Sequence, residues 1–453
     1  TEFVLDKTIA NADNVTIEYS TSIVDKVLET VTFGFYKGDV QVKVTVKDQT
    51  AGVEYFEITY TQADGKNNSN KATYTTEKLA AVQDATDKTV FTAEHTIKAD
   101  ARGTVSVNLI DKAGNTTGRS EQYVVVADTI APGLEYKWTF TDDQVREYNN
   151  IFYTKGETKV KFTITEANFD LSLKTANDET AAPAPVLTVN NVAQNIIWTQ
   201  IDGTDKWETE ITLTGNDDYV VELSYTDRST NAMSTYTKEV HIDDVAPVFD
   251  VTYDNNEARN SNNYKADRVA TIKVTEHNFK AEEVVLNVTA KDITGATVDI
   301  SSKGYAEYAK NATNWTQDGD VWTLNTDGMK FDIDAIYNIT LNYTDLAENA
   351  ATEYATEFVL DKTKSSNIKI EYSESIIDKV LESITFGFYK PDVIVTVTAQ
   401  DDTAGVEYFK ITYTKQSGTS DINKDSYTTE ELVAVQDATN KNIFTATHTI
   451  PAN

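Results

Sequence analysis

The chain has 453 residues, 40 Lys and Arg against 72 Asp and Glu, and a formal net charge of −32; at roughly 100–200 residues per domain, that length implies three or four domains. Apolar residues make up 40% and charged residues 25%, enough for each domain to bury a core, and no run approaches the roughly 20 apolar residues of a membrane-spanning helix. The acidity disfavours nucleic acid and anionic membrane as partners and favours multivalent cations, while the absence of cysteine removes disulfides, thiolate metal sites and a Cys nucleophile and suits an exported protein that folds without oxidation.

Taken in chain order, the apolar residues alternate with period two. Val40, Val42, Val44 and Val46 are interleaved with Gln41, Lys43, Thr45 and Lys47, the pattern of a half-buried strand. Val105, Val107 and Leu109 follow the same rule, as do Val160, Phe162 and Ile164, then Val221, Leu223 and Tyr225. Further along come Ala270, Ile272 and Val274, then Ile339, Leu341 and Tyr343, and finally Val393, Val395 and Val397. Short strands separated by polar turns, with almost no helical pattern, predict an all-β chain of β-sandwiches.

Internal repeats set the organisation. Thr1-Glu-Phe-Val-Leu-Asp-Lys-Thr8 recurs unchanged at Thr356 to Thr363, and Ile17-Glu-Tyr-Ser20, Gly34-Phe-Tyr-Lys37 and Ala51-Gly-Val-Glu-Tyr-Phe56 all return 353 residues later. Within that long unit, Asp128-Thr-Ile-Ala-Pro132 and Asp243-Asp-Val-Ala-Pro247 lie 115 residues apart, with Asp6 and Asp361 at the corresponding outer places. Four domains are expected, at residues 1–128, 129–243, 244–361 and 362–453. The second and third are relatives, since Thr165-Glu-Ala-Asn-Phe169 matches Thr275-Glu-His-Asn-Phe279 and the pair Trp198 and Trp207 matches Trp315 and Trp322. The first and fourth form the other pair. The fourth reaches only the counterpart of Asp100, so it is expected to lack two closing strands, to expose sheet edges, and to belong to a longer array.

Each of the first three domains closes with a strand, an Asp-x-x-x-Asn turn, a last strand and an Asp-containing linker: Asp111 to Asn115 then Asp128, Asp227 to Asn231 then Asp243, and Asp345 to Asn349 then Asp361. This resembles the bacterial immunoglobulin-like (Big-type) repeat domains of large surface proteins and adhesins, whose domains often end in a D-x-x-G-N turn, a strand and a D-x-x-x-P linker. The resemblance covers the whole chain. It implies tandem immunoglobulin-like β-sandwich domains in an extended rod, acting as a stalk or an adhesive array in a bacterial surface protein, extracellular and anchored to the cell. Its partners would be the neighbouring repeats and a host or cell-surface protein or glycan.

The acids follow the core stripes. The inward parity of the second strand runs on to Asp48, Glu166, Glu276 and Asp401, and that of the penultimate strand to Asp111, Asp227 and Asp345. In a seven-strand immunoglobulin topology these strands end at one pole in opposite sheets. The linker acid, Asp6, Asp128, Asp243 with its neighbour Asp244, or Asp361, arrives at the same pole. The turn amide of Asn115, Asn231 or Asn349 is expected to add an oxygen. Hard oxygen donors in that number suit Ca²⁺, which takes about 6–8. The competing reading is turn chemistry, in which Asp and Asn bond their own backbone at strand ends.

Nothing points to catalysis. His95, His241, His277 and His448 form no cluster, no pair among the 72 acids stands out, and no phosphate-binding G-x-x-x-x-G-K pattern occurs, so an enzyme is not expected. The rival from another class is a train of carbohydrate-binding modules on an extracellular enzyme, with the tryptophan pairs as stacking platforms, although such pairs are more often cross-strand core or hairpin contacts.

Overall fold

A computed structural model describes residues 4–7, 11–20, 34–63, 72–120, 125–141, 145–169, 184–374, 392–415 and 425–451. The chain divides into two compact units, Thr1–Asp243 and Asp244–Asn453.

The first repeat opens the first unit. Its strands are β1 (Thr16–Ser20), β2 (Phe35–Tyr36), β3 (Val40–Lys47), β4 (Val53–Gln62), β5 (Tyr74–Thr75), β6 (Leu79–Ala80), β7 (Val82–Gln83), β8 (Val90–Ile97), β9 (Ala101–Asp111), β10 (Thr116–Ser120) and β11 (Val125–Ala127). One sheet has the order β1-β3-β8-β7; the other runs β2-β11-β9-β4-β5, with β10 on β9 and β6 on β4. This is the ABED-against-GFC arrangement of an immunoglobulin-like sandwich, with one addition: β2 pairs in parallel with β11, Phe35 opposite Val126 and Tyr36 opposite Ala127.

The alternation read from the sequence is what closes the two sheets. Val40, Val42, Val44 and Val46 are fully buried, and Phe56, Ile58, Tyr60, Val105, Val107 and Leu109 meet them from the opposite sheet. Each such aliphatic side chain removed from water contributes about 1.5–3 kcal/mol. Gly103 sits where β9 crosses the end of β4; a Cβ there would lie 2.4 Å from the Thr61 carbonyl oxygen and 2.5 Å from the Tyr60 ring, so no larger residue fits.

The second repeat has the same plan. Gly133–Phe140, Thr158–Thr165, Lys206–Leu213 and Thr199–Gln200 make one sheet. The other is built on Ile151–Thr154, Tyr236–Ile242, Asp217–Ser224 and Val186–Val189, with Ile151–Thr154 parallel to Tyr236–Ile242. Inside this unit the linker holds the first repeat, since the Thr129 hydroxyl donates to Asp100 Oδ1 at 2.9 Å. Arg228 lies over the Phe35 ring at 4.7 Å.

In the second unit the third repeat pairs Val248–Tyr253, Arg268–Thr275, Val321–Leu324 and Trp315–Asp318 against Asn263–Tyr264, Tyr354–Leu360, Ala335–Asn342 and Val285–Lys291. A helix at Tyr305–Lys310, unforeseen in the strand pattern, buries Tyr305 and Ala309 and accepts from Trp315 Nε1 through the Ala309 carbonyl at 2.7 Å.

The fourth repeat keeps one complete sheet, Ser366–Glu374, Val393–Gln400, Ile443–Ile450 and Val435–Gln436. Opposite it the described residues form only two short ladders, Tyr408–Phe409 with Leu432–Val433 and Thr412–Tyr413 with Tyr427–Thr428.

Candidate metal centre

At the pole of the first repeat β3 delivers Asp48 and β9 delivers Asp111, both inward and buried, and the chain entering the repeat delivers Asp6. One carboxylate oxygen from each lies within 4.8 Å of the others. Every acid also holds its own loop. Asp48 Oδ1 accepts from the Thr50 and Gly52 amides at 2.9 Å, Asp111 Oδ1 from those of Ala113 and Asn115 at 2.8 Å, and Asp6 Oδ2 from that of Ala51 at 3.1 Å. Gly52 has φ +76°, a left-handed conformation that glycine adopts without strain, and this lets the turn after β3 fold back onto Asp48.

The second repeat repeats the arrangement with Asp128, Glu166 and Asp227, all buried and again within 4.8 Å. Asp128 Oδ1 accepts from the Ile130 amide at 2.9 Å, Glu166 Oε1 from the Asn168 amide at 2.8 Å, and Asp227 Oδ1 from the Asn231 amide at 2.8 Å. Burial pushes the Glu166 carboxyl up to about 8; the Asn168 amide opposes this, and the negative charges of Asp128, Asp227 and Asp205 add to it. Asp227 is raised to about 6, again chiefly by burial, against the hydrogen bonds it accepts from Asn231.

Beside these acids is a cavity of about 80 Å³, lined by Asp100, Asp128, Glu166, Asn168 and Asp205 among others. Asn168 was not among the expected site residues. Its Nδ2 donates to Asp128 Oδ2 at 2.9 Å, and its Oδ1 is buried without a hydrogen-bond partner. The signal was present, since Asn168 recurs as Asn278 in the matched Glu-x-Asn-Phe motif.

In the second unit Glu276 and Asp345 are buried together. Glu276 Oε1 accepts from the Asn278 amide at 2.8 Å, and Asp345 Oδ1 from the Asn349 amide at 2.7 Å. Asp243 is buried at the last position of the first unit, whereas the adjacent Asp244 is exposed. At the head of the fourth repeat, Asp361 Oδ2 accepts from the Ala404 amide at 3.1 Å and Asp401 Oδ1 from the Gly405 amide at 2.9 Å. Burial and the Asp401 charge raise the Asp361 carboxyl above its ordinary range. Among the described residues no third acid joins this pair.

One expectation needs correction. The turn amides do not turn an oxygen to the acids: Asn115 Nδ2 donates to Asp111 Oδ2 at 2.6 Å, Asn231 Nδ2 to Asp227 Oδ2 at 2.9 Å and to the Asp128 carbonyl at 3.0 Å, and Asn349 Nδ2 to Asp345 Oδ2 at 2.8 Å. A carboxylate only accepts, so the amide hydrogens face it, and these asparagines hold the acids in place. The tryptophan pairs pack into the cores, with Trp207 and Trp322 half-buried. Trp198 and Trp315 are buried, and Phe169 and Phe279 each pack against two indoles, with ring centroids 5.4 and 5.0 Å apart in the second repeat and 4.8 and 5.0 Å in the third.

No protein-family model and no curated protein matches the chain. Among solved structures it is similar to the D1–D4 ectodomain fragment of ICAM-5, at 8% identity over 97% of this chain and 100% of that one, with a TM-score of 0.36. It is also similar to the fibronectin(III)-like modules of Clostridium thermocellum CbhA (10% identity, 50% of this chain and 94% of that one, TM-score 0.20) and to dimeric latent PorU from Porphyromonas gingivalis (11% identity, 72% and 32%, TM-score 0.19). The class rests on the chain's own sheets: this is a multi-domain protein of tandem immunoglobulin-like β-sandwiches.

Proposed function

We propose that the chain is a non-catalytic repeat array of a bacterial cell-surface protein, extracellular and anchored, which serves as a stalk or as the adhesive surface itself, and that Ca²⁺ bound at the acidic poles stiffens it. The observation that carries this reading is the trio Asp128, Glu166 and Asp227, in which a linker acid meets two strand-end acids inside the first unit. Turn chemistry, with the Asn168 and Asn231 amides, accounts for both oxygens of Asp128 and Asp227 and for one of Glu166. It does not account for three buried carboxylates drawn within 4.8 Å of one another, a placement whose mutual repulsion a divalent cation would offset. A cation there would tie the linker to the repeat it enters. The packing of Trp198 and Trp315 in the core favours the stalk over the carbohydrate-module reading.

Calorimetric titration of the chelator-treated chain with Ca²⁺ tests the proposal. Saturable binding that is weakened at least tenfold by Glu166→Gln combined with Asp227→Asn supports it. Superimposable melting curves in Ca²⁺ and in chelator, with no heat of binding, would reduce the poles to hydrogen-bonded turns.

A further inference from the structure

The outer face of one sheet of the third repeat carries a cleft away from the acidic poles. It lies over Val285–Lys291, Ala335–Asn342 and Tyr354–Leu360 and has a volume of about 340 Å³, within the range of about 300–1,000 Å³ typical of small-molecule sites. The register gathers two amides and two hydroxyls in it. Asn287 is opposite Thr340, Thr289 is opposite Asn338, and Asn338 is opposite Glu357 on the next strand. Their neighbours Leu286, Ala290, Ile339 and Leu341 are buried, so alternation turns these polar side chains outward.

The second repeat fills the same places differently. Asp227 and Asn231 recur 118 residues later as Asp345 and Asn349, and at that offset Val220 and Glu222 become Asn338 and Thr340, while Glu239 is kept as Glu357. An exposed valine and a carboxylate have thus given way to an amide and a hydroxyl. Among the described residues, the Asn287 amide and the Thr289 and Thr340 hydroxyls have no hydrogen-bond partner. Asn338 is oriented, its Nδ2 donating to Glu357 Oε2 at 3.1 Å.

The wall of the cleft is held in place. Asp292 Oδ1 accepts from the Thr294 and Ala296 amides at 2.9 Å, and the Ile293 amide donates to the Asp402 carbonyl of the fourth repeat at 3.0 Å. That turn is therefore set before any ligand arrives, which spares the ordering cost of binding. Half-buried Ile336, in register with Lys291, adds an apolar patch to the floor.

Amides and hydroxyls offer donors and acceptors side by side, as do the adjacent hydroxyls of a sugar. Lys291 is outnumbered by Glu357 and Asp292 in the lining, which disfavours an anion. An extended peptide pairs with an open strand edge, whereas this cleft lies on a face, across three paired strands. Resting on the adhesive part of the function proposed above, we propose that the cleft binds a neutral carbohydrate, with Asn287, Thr289, Asn338 and Thr340 bonding its hydroxyls and Ile336 beneath its C–H face. No aromatic ring lines the cleft, so a single site is weak, and firm attachment needs many chains on one surface.

The full chain, displayed densely on fluorescent beads in chelator, is applied to an array of neutral, sialylated and sulfated glycans. Retention on neutral glycans is expected. Asn338→Val combined with Thr340→Glu, which gives this face the residues the second repeat already carries, should lower it at least tenfold. Asn287→Ala combined with Thr289→Ala, at exposed positions of an edge strand, should do the same, with amide exchange at 337–341 unchanged in both variants. Absence of retention on every neutral glycan, equal retention by a folded variant, or retention on acidic glycans alone overturns the proposal. Any of these would leave the stalk and the Ca²⁺ titration standing, because chelator removes the cation from the experiment.

Discussion

The first and fourth repeats carry nearly the same residues from strand to strand and differ in how much of that sequence is inside. Val-Glu-Tyr-Phe-Glu-Ile-Thr-Tyr at 53–60 is a continuous strand with Phe56, Ile58 and Tyr60 fully buried, while Val-Glu-Tyr-Phe-Lys-Ile-Thr-Tyr at 406–413 breaks into two ladders of two residues each. The facing sheets differ little: Val40–Lys47 and Val393–Gln400 both pair over their full length with the inner neighbour, and with the outer strand over Gln41–Thr45 in the first and most of the strand in the fourth. A strand in this fold therefore owes its continuity to the neighbour on its open edge, here β9, more than to its own alternation.

The largest expected difference is in amide exchange. Core strands exchange through global opening and edges through local opening, so residues 406–415 should exchange at least about a thousandfold faster than 53–62; equal protection would break the comparison. Side-chain truncation comes next. Phe56→Ala should cost about 3–5 kcal/mol in the first repeat, and Phe409→Ala no more than about 1.5 kcal/mol in the fourth, because a half-buried ring leaves little cavity. Site-resolved exchange in urea reads each repeat separately.

Cation binding sharpens the same contrast at the poles. Ca²⁺ at a hundredfold excess over its dissociation constant should stabilise the second repeat by about 2.7 kcal/mol. The fourth repeat, with two acids in place of three, should gain less than half of that; an equal gain in both would show that the third acid is not a ligand.

The same acids make stability pH-dependent in chelator. Glu166 and Asp227 are held at about 8 and about 6 against ordinary values of 4.5 and 3.8, so the folded second repeat retains protons that the unfolded chain has released. The stability they confer is complete below about 4 and is lost as pH rises through about 6 and then about 8. Between pH 5 and pH 8.5 the second repeat should lose stability, and Glu166→Gln should remove most of that slope. A melting temperature that does not fall over this range would mean the two acids are not held protonated.

Much of this architecture was legible because alternation marks burial directly. The parity that places Val160, Phe162 and Ile164 inside carries on to Glu166, and that of Val221, Leu223 and Tyr225 to Asp227, so the acids could be assigned to the core side before any contact was known. The short strands Phe35–Tyr36 and Asn263–Tyr264 escaped, because two residues are too few to show a period and their partners are more than 90 residues away. The direction of an asparagine amide also escaped. Composition places Asn231 beside Asp227, but only the carboxylate's need for donors turns Nδ2 towards it.

The parallel pairing of the short early strand with the last strand in the first three repeats has a consequence under load. When the chain ends are pulled, the stretch before the short strand peels away first, and the two parallel neighbours are then drawn in opposite directions along their own length. Their hydrogen bonds share the pull in shear and must yield together instead of one at a time. The first and third repeats hold this clamp with two residue pairs, while the second has four, Ile151 to Thr154 against Glu239 to Ile242. In a stretching experiment on the whole chain, the second repeat should be the last of these three to give way.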